Sequence, residues 1–187
     1  MNFSEDIRSY IELEKKILDS LDIACIDEAM KLIQEAYKKE KTIYIFGNGG
    51  SSATASHYQN DFNKGLSENL SKKFHMVCLN NDLPTIMAIA NDISFDEVFR
   101  YQLRGHIKKD DIVIAISGSG NSKNIINAVL YAKEQGNKII GLCGYDGGRL
   151  KTLSDIAIHV NIDNMQITED IHMVLDHMMM TIFYKYL

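Results

Sequence analysis

The sequence predicts a single α/β domain built on a five-stranded parallel sheet with helices on both faces. From residue 42 onward, short apolar segments rich in β-branched residues alternate with longer segments whose apolar residues recur at helical spacing. Strands separated by helices lie parallel, because each helix returns the chain to the edge where the next strand starts. A chain of 187 residues with 45% hydrophobic content suffices for one core, and a second full domain would be cramped.

Residues 1–40 are predicted to form an N-terminal pair of helices. Apolar residues recur there at helical spacing, for example Ile7 with Ile11 and Ile33 with Tyr37. A helical appendage of this kind packs either on its own sheet or on a partner subunit.

Residues 41–187 are predicted to form the α/β core and a C-terminal helix. The apolar runs are short enough to be buried parallel strands. Pro84 is the only proline and no low-complexity run occurs, so no linker divides the chain, and 1–187 is predicted to be one domain. The predicted strands are 42–46, 74–79, 111–116, 138–143 and 155–160, and the predicted helices are 51–65, 83–90, 94–107, 121–135, 148–153 and 165–186.

Composition and charge exclude several classes of function. A net charge of −5 without a basic run argues against a nucleic-acid groove. No segment approaches the apolar length of a membrane span, and the first residues lack the basic and apolar regions of a signal peptide. Cys25, Cys78 and Cys143 lie in apolar runs, which favours buried reduced thiols over disulfides or a thiolate metal site. We therefore expect a cytoplasmic protein that binds neither nucleic acid nor membranes.

Two glycine- and serine-rich turns, 47–52 and 117–122, each follow a predicted strand and open a predicted helix. Glycines let the backbone approach a ligand, and free N–H groups at a helix start attract an anion. Neither turn has the lysine of a P-loop, and Ser52 stands where a dinucleotide fingerprint has its last glycine. The alternative is a pair of ordinary strand–helix turns, but two such turns at the carboxyl ends of one sheet favour a ligand. The turns predict a site for a small phosphate monoester, with neutral donors from Ser51, Ser117, Ser119 and Ser122.

His57 and Asp61 stand four residues apart on the helix that the first turn opens, so they share one face of it. A histidine and a carboxylate at that spacing can bind a metal or move protons. The alternative is a pair exposed to solvent. The position of the two residues, one or two helical turns from the predicted phosphate site, favours a functional role instead.

The C-terminal helix is apolar nearly all round, which predicts burial on most of its sides. In a small chain we expect that burial to come from a subunit interface, the alternative being a helix central to the core. Charged residues interrupt the apolar segment, and buried charges are costly unless paired or bound. The alternative is that these charged residues form a narrow side of the helix that faces solvent. Helical spacing places Asp170 with His177 on one stripe, and Glu169 with His172 and Asp176 on another.

Other polar residues carry weaker signals. His75, His106 and His159 lack acidic companions at ligand spacing and are interpreted as structural. Asn91 and Asp92 have the residue types of a helix cap but could also reach a ligand.

Several motifs together resemble the sugar isomerase (SIS) domain family and, within it, the sedoheptulose-7-phosphate isomerases. The similarity covers nearly the whole chain. It includes the two N-terminal helices, Gly47-Asn48-Gly49-Gly50-Ser51 followed by His57, Ala90-Asn91-Asp92, the turn 116–122, Gly144-Tyr145-Asp146-Gly147-Gly148, and Glu169-Asp170-Ile171-His172 through His177. The resemblance implies a flavodoxin-like three-layer fold and a homotetramer with active sites at subunit boundaries.

The resemblance also implies roles for individual residues. His57 and His177 match zinc ligands, and His177 matches an acid/base histidine as well. Asp61 stands where the family usually has a catalytic, metal-binding Glu, and Glu169 where it usually has a Gln ligand. The resemblance leaves open which of these two carboxylates binds the metal and which transfers the proton. Gly118 replaces a usual Thr, Gln166 replaces a usual Asp that contacts the sugar, and Asn63-Lys64-Gly65 replaces a usual Gly-Arg segment. The implied phosphate and sugar contacts are Asn48, Gly49, Gly50, Ser51, Asn91, Asp92, Ser117, Gly118, Ser119, Ser122 and Gln166.

The resemblance implies ketose–aldose isomerisation of a sugar phosphate, sedoheptulose 7-phosphate or a close relative. A proton moves between adjacent carbons through an enediol, which a carboxylate and an imidazole can catalyse, here Asp61 or Glu169 with His177. Zinc or another divalent metal at His57, Asp61, Glu169 and His177 would polarise the carbonyl. Glu169 and His177 are about 12 Å apart along an intact helix, so one site uses both only if their side chains converge or the helix begins irregularly.

Two other functions fit the same fold. One is a non-catalytic phosphosugar-binding protein, such as an adaptor that binds the replication initiator DnaA; two histidines with two acids argue against it, since a scaffold has no need of them. The other is an isomerase of a different sugar phosphate such as arabinose 5-phosphate.

Overall fold

The computed structural model describes residues 2–187, in which five parallel strands form one sheet in the order β2-β1-β3-β4-β5. That order is flavodoxin-like, and the predicted fold class is confirmed. Ile45 of β1 pairs with Cys78 on one side and with Ile114 on the other, so β1 and β3 are central neighbours. The strands are β1 Thr42–Gly47, β2 His75–Cys78, β3 Ile112–Ser117, β4 Lys138–Cys143 and β5 Ile156–His159.

Eight α-helices surround the sheet in the described chain. Side-chain caps start several of them: Asp82 accepts a hydrogen bond from the Thr85 amide, and Asn164 accepts one from the Ile167 amide. The helices are α1 Ser4–Asp19, α2 Ile23–Lys38, α3 Gly50–Asn60, α4 Leu83–Asp92, α5 Val98–Leu103, α6 Lys123–Glu134, α7 Gly148–Leu153 and α8 Met165–Tyr186.

Two predicted helices differ from the observed ones. The predicted helix 51–65 ends as an α-helix at Asn60 and continues as one π-helical turn, Asp61–Gly65, followed by a 3₁₀ turn, Leu66–Asn69. The predicted helix 94–107 divides into a short 3₁₀ turn and α5, which ends at Leu103.

Each face of the sheet buries its own core, because alternate residues of a strand point to opposite faces. Ile43 and Ile45 of β1 pack in the core that α2, α3 and α8 cover. Tyr44 and Phe46 pack in the core that α4, α5, α6 and α7 cover. The result is the three-layer arrangement that the alternating sequence predicts.

One stripe of helix α8 is buried inside the chain, whereas the expectation was burial at a subunit interface. A single stripe faces the sheet and is wholly buried, whereas Tyr184 and Tyr186 are exposed. This row of residues covers one face of the sheet, so the alternative of a helix central to the core is correct for this side of α8. Its apolar members are Ile167, Ile171, Leu175, Met179 and Phe183. In residues 2–187, no helix is long and apolar enough to cross a membrane.

Candidate active site

The two glycine-rich turns lie side by side at the point where the strand order reverses. They follow the neighbouring strands β1 and β3, while β2 and β4 flank that pair. Ligands of open α/β sheets bind in the crevice at such a point. Asn48 of the first turn and Asn124 of α6 each donate an amide hydrogen bond to the other's side-chain oxygen at 2.9 Å. The predicted convergence of the two turns is therefore observed.

The serines of the turns surround the N-terminal ends of α3 and α6. Ser51 and Ser117 are buried, and the Ser117 hydroxyl donates to Ser122 Oγ at 3.3 Å. Ser119 is exposed, and its Oγ accepts the Asn121 N–H at 3.3 Å. Because the first amides of a helix lack partners within it, hydroxyls and amides placed in this way can accept an anion.

The second turn rests on the loop between β4 and α7, and Gly120 is required for that contact. Its φ is +65°, and a Cβ there would lie 2.0 Å from the Gly147 carbonyl oxygen. The Leu150 amide donates to the Gly120 carbonyl at 2.9 Å, and the Gly144 amide donates to the Gly118 carbonyl at 2.8 Å. The loop thus fixes the position of the predicted phosphate contacts.

His57 and His177 meet at the other end of α3, where it packs against α8. Their Nε2 atoms are 3.1 Å apart. The nearer carboxylate oxygen of Asp61 lies 3.5 Å from His57 Nε2 and 3.9 Å from His177 Nε2. Asp176 completes a group of four whose ligand atoms all lie within 4.8 Å of one another. Two imidazoles and two carboxylates are a donor set suited to zinc.

Asp176 is the buried member of this group. It is 0% exposed, and neither carboxylate oxygen has a hydrogen-bond partner within residues 2–187. Burial, with a smaller contribution from the nearby Asp61 carboxylate, raises the pKa of Asp176 to about 8. Titratable groups perturbed in this way concentrate at functional sites.

Glu169 lies elsewhere, against the first turn of α3. A Cβ on Gly50 would be 2.3 Å from Glu169 Oε2, so the carboxylate fills the space that a side chain at position 50 would need. Next to it, Tyr10 of α1 donates a hydrogen bond to Asp170, which raises the pKa of Tyr10 to about 12.

The predicted metal set is therefore only partly assembled in the structure. His57, Asp61 and His177 are brought together, but Asp176 stands in the group of four and Glu169 does not. Helical spacing alone places Asp176 on a different stripe from His177. The sequence signal that could have identified Asp176 is a charged residue directly beside a candidate ligand in an otherwise apolar helix.

The remaining predicted contacts are outside this group. Asn91 and Asp92 are exposed at the end of α4, where the Asn91 amide donates to Asp92 at 2.8 Å. Gln166 is exposed in the first turn of α8. A Cβ on Gly118 would be 2.7 Å from the Met165 sulfur, so Met165 occupies the space beside that glycine.

These features define a sugar isomerase domain, and comparison with known proteins agrees: a profile of the SIS domain matches residues 8–144, and the chain belongs to the SIS domain family. The relatives within it include phosphoheptose isomerases. The one from Helicobacter pylori strain P12 is 34% identical over 175 residues, 94% of this chain and 90% of the relative. The one from Sulfurimonas denitrificans is 35% identical over 182 residues, 97% of this chain and 93% of the relative.

Solved structures agree with the sequence relatives. A phosphoheptose isomerase from Francisella tularensis has a TM-score of 0.90 at 27% identity, covering 99% of this chain and 100% of that one. Phosphoheptose isomerase GmhA from Neisseria gonorrhoeae has a TM-score of 0.89 at 26% identity, covering 97% and 98%. The resemblance indicated by the motifs is confirmed.

Proposed function

We propose that the protein isomerises sedoheptulose 7-phosphate to an aldose heptose 7-phosphate. The observation that carries this proposal is the course of α3, which begins in the phosphate-type turn and ends at the histidine–carboxylate group. Ser51 and His57 are six residues apart on it, about 9 Å at the rise of an α-helix. A sugar phosphate held at one end of the helix presents its far carbons to the other end.

Binding is assigned to the two turns. Hydroxyls of the four serines and backbone amides of Gly49 and Gly50 hold the phosphate, with Asn48 beside them. Hydrogen bonds to a charged group contribute roughly 1.5–3 kcal/mol each, so several neutral donors hold a phosphate without a lysine. The proposed contacts to the sugar are Asn91, Asp92, Gly118 and Gln166.

The chemical step moves one proton between two neighbouring carbons and one between their oxygens, and it leaves no net oxidation. A carboxylate takes the proton from the hydroxyl-bearing carbon beside the carbonyl, and an imidazole exchanges protons with the two oxygens, giving an enediol. Return of the carbon-bound proton to the neighbouring carbon completes the aldose. Glu169 and Asp61 are the candidate carboxylates, and His177 is the candidate imidazole.

A divalent cation fits the histidine end of the site, and zinc suits these donors best. The donors present are imidazole nitrogens of His57 and His177 and the carboxylate of Asp61, with the unpartnered carboxylate of Asp176 beside them. A bound zinc ion supplies Lewis-acid polarisation of a carbonyl. The chain's own groups orient the sugar and move the protons.

The assembly and location proposed with this function are a homotetramer in the cytoplasm, with the active sites at subunit boundaries. Exposed apolar side chains around α4 support a subunit interface there: Leu83, Met87, Ile93 and Phe95.

The test is incubation of the purified protein with a panel of phosphorylated ketoses, followed by NMR detection of the aldose. We expect turnover of sedoheptulose 7-phosphate, its loss after chelation, and its return on adding zinc. Preference for the ketose partner of arabinose 5-phosphate would instead identify the other isomerase. Phosphosugar binding without any turnover would favour the adaptor.

A further inference from the structure

Asp176 is a carboxylate that the protein itself leaves without a partner. It belongs to the buried stripe of α8, where its neighbours along the stripe, His172 and Met179, are also buried. Tyr58 of α3 has its hydroxyl nearby, but that hydroxyl donates its hydrogen bond to the His172 carbonyl at 3.3 Å and not to Asp176. An isolated buried carboxyl group is either protonated or paired with a positive group, and a bound cation would supply that group here.

No cationic side chain of the described chain supplies that counter-group. Neither Asp61 nor Asp176 forms an ion pair with a lysine or arginine in residues 2–187. What faces Asp176 is a second carboxylate and two imidazole rings whose nitrogens point at each other. Four potential metal-ligand atoms thus converge with no lysine or arginine charge among them.

We propose that Asp176 is a direct ligand of the divalent cation, together with His57, Asp61 and His177, and that Glu169 is not one. The inference rests on the metal site of the proposed function and identifies its fourth ligand. The four ligand atoms lie within 4.8 Å of one another. A tetrahedral zinc site needs about 3.4 Å between ligand atoms, so side-chain movements of roughly 1 Å or less close it.

The position of Glu169 supports this division of roles. Its carboxylate lies over Gly50, beside the phosphate turn, and eight residues of helix separate it from His177. Asp176 is next to His177 in the chain and already in the group. Glu169 is thereby left free of the cation and near the substrate end, where a proton-transferring carboxylate is needed.

Two variants on the same helix, Asp176→Asn and Glu169→Ala, test the proposal. Asp176→Asn should lower zinc affinity at least about tenfold, measured by competition with a chromophoric chelator on metal-free protein. Glu169→Ala, the control that removes every possible ligand atom at position 169, should leave zinc affinity and the stoichiometry of one zinc per chain unchanged. Circular dichroism of the metal-free variants verifies that both are folded.

A second measurement does not depend on any variant of Asp176. X-ray absorption of the zinc-loaded protein should show two imidazole and two carboxylate ligands, and the same spectrum should be obtained for Glu169→Ala. Loss of zinc from Glu169→Ala, unchanged zinc affinity in Asp176→Asn, or no stoichiometric zinc in the unsubstituted protein would each overturn the proposal. Zinc bound through Asp176 without any isomerase turnover would leave the proposal standing and remove the isomerase function.

Discussion

His172 lies on α8 with its side chain buried in the core beside the site. Burial lowers its pKa to about 4 from an ordinary value near 6.5. The folded protein therefore keeps this ring neutral at pH values where the unfolded chain protonates it. Its contribution to stability is complete above pH 6.5 and is lost as the pH falls toward 4.

We predict that His172 lowers the free energy of unfolding of the metal-free protein by about 2 kcal/mol between pH 7 and pH 5, whereas Asp176, whose raised pKa lets the folded state take up a proton, opposes this change. Urea unfolding of the unsubstituted protein and of His172→Leu at the two pH values, with chelator present, isolates the His172 contribution as the difference. His172→Leu should gain stability relative to the unsubstituted protein as the pH falls, because it has no proton to take up at this position in the unfolded state. The same pH dependence in both proteins would assign the effect to other groups.

The serine hydroxyls carry the phosphate hypothesis at the scale of single residues. Replacing Ser119 and Ser122 together by Ala should weaken sugar-phosphate binding at least about tenfold, because hydrogen bonds to a charged group are lost. Calorimetric titration measures the affinity. The control is the pair Ser9→Ala and Ser71→Ala, whose residues are exposed and outside the site; unchanged affinity in a folded site variant would contradict the assignment.

Among the elements, the turn after β3 depends on its contact with the loop after β4. Gly120→Ala should be strongly destabilising and should impair phosphate binding, because the new methyl group meets the Gly147 carbonyl. Gly105→Ala is the matched control: its φ is +76° and nothing lies within 4 Å of the new Cβ. The control should lose only the backbone cost of roughly 1–2 kcal/mol.

Chemical unfolding measures the stability of these two glycine variants, and calorimetric titration measures their affinity for the sugar phosphate. Equal stability losses would show that the loop contact has no energetic importance. Normal phosphate affinity in Gly120→Ala would separate the turn from the phosphate site.

The strands and the two turns were predictable because their signals are local. A run such as Thr42–Gly47 has strand propensity and apolar character together, and glycines mark where the run ends. The π-helical turn Asp61–Gly65 has no comparable local signal. The Tyr184 hydroxyl donates to the Gly65 carbonyl at 2.8 Å from the far end of the chain, so this backbone depends on tertiary packing.

The histidines of the site were predictable and the buried carboxylate was not. His57 and Asp61 are neighbours on a helix by spacing alone. Adjacent residues such as Asp176 and His177 point about 100° apart on a helix. Whether both reach one site depends on how α8 docks against α3, and no pattern within α8 specifies that docking.

For the whole molecule, the apolar side chains left exposed carry the prediction of assembly. Light scattering should report a homotetramer at micromolar concentration. Met87→Lys combined with Ile93→Lys should shift the protein to smaller species, because both side chains are more than half exposed in one chain. Gln135→Lys adds charge at an exposed position of another surface and should remain tetrameric. A stable monomer of the unsubstituted protein would contradict the assembly.

The close approach of Gly50 and the Glu169 carboxylate makes two distant positions share one small volume. A methyl group at position 50 is accepted only when the Glu169 carboxylate moves out of that space, which the flexible end of its side chain can do. A substitution at position 50 can therefore be used to adjust the position of the Glu169 carboxylate. Gly50→Ala would move the end of a flexible side chain without removing its charge, which shifts the candidate proton-transferring carboxylate and keeps the carboxylate itself.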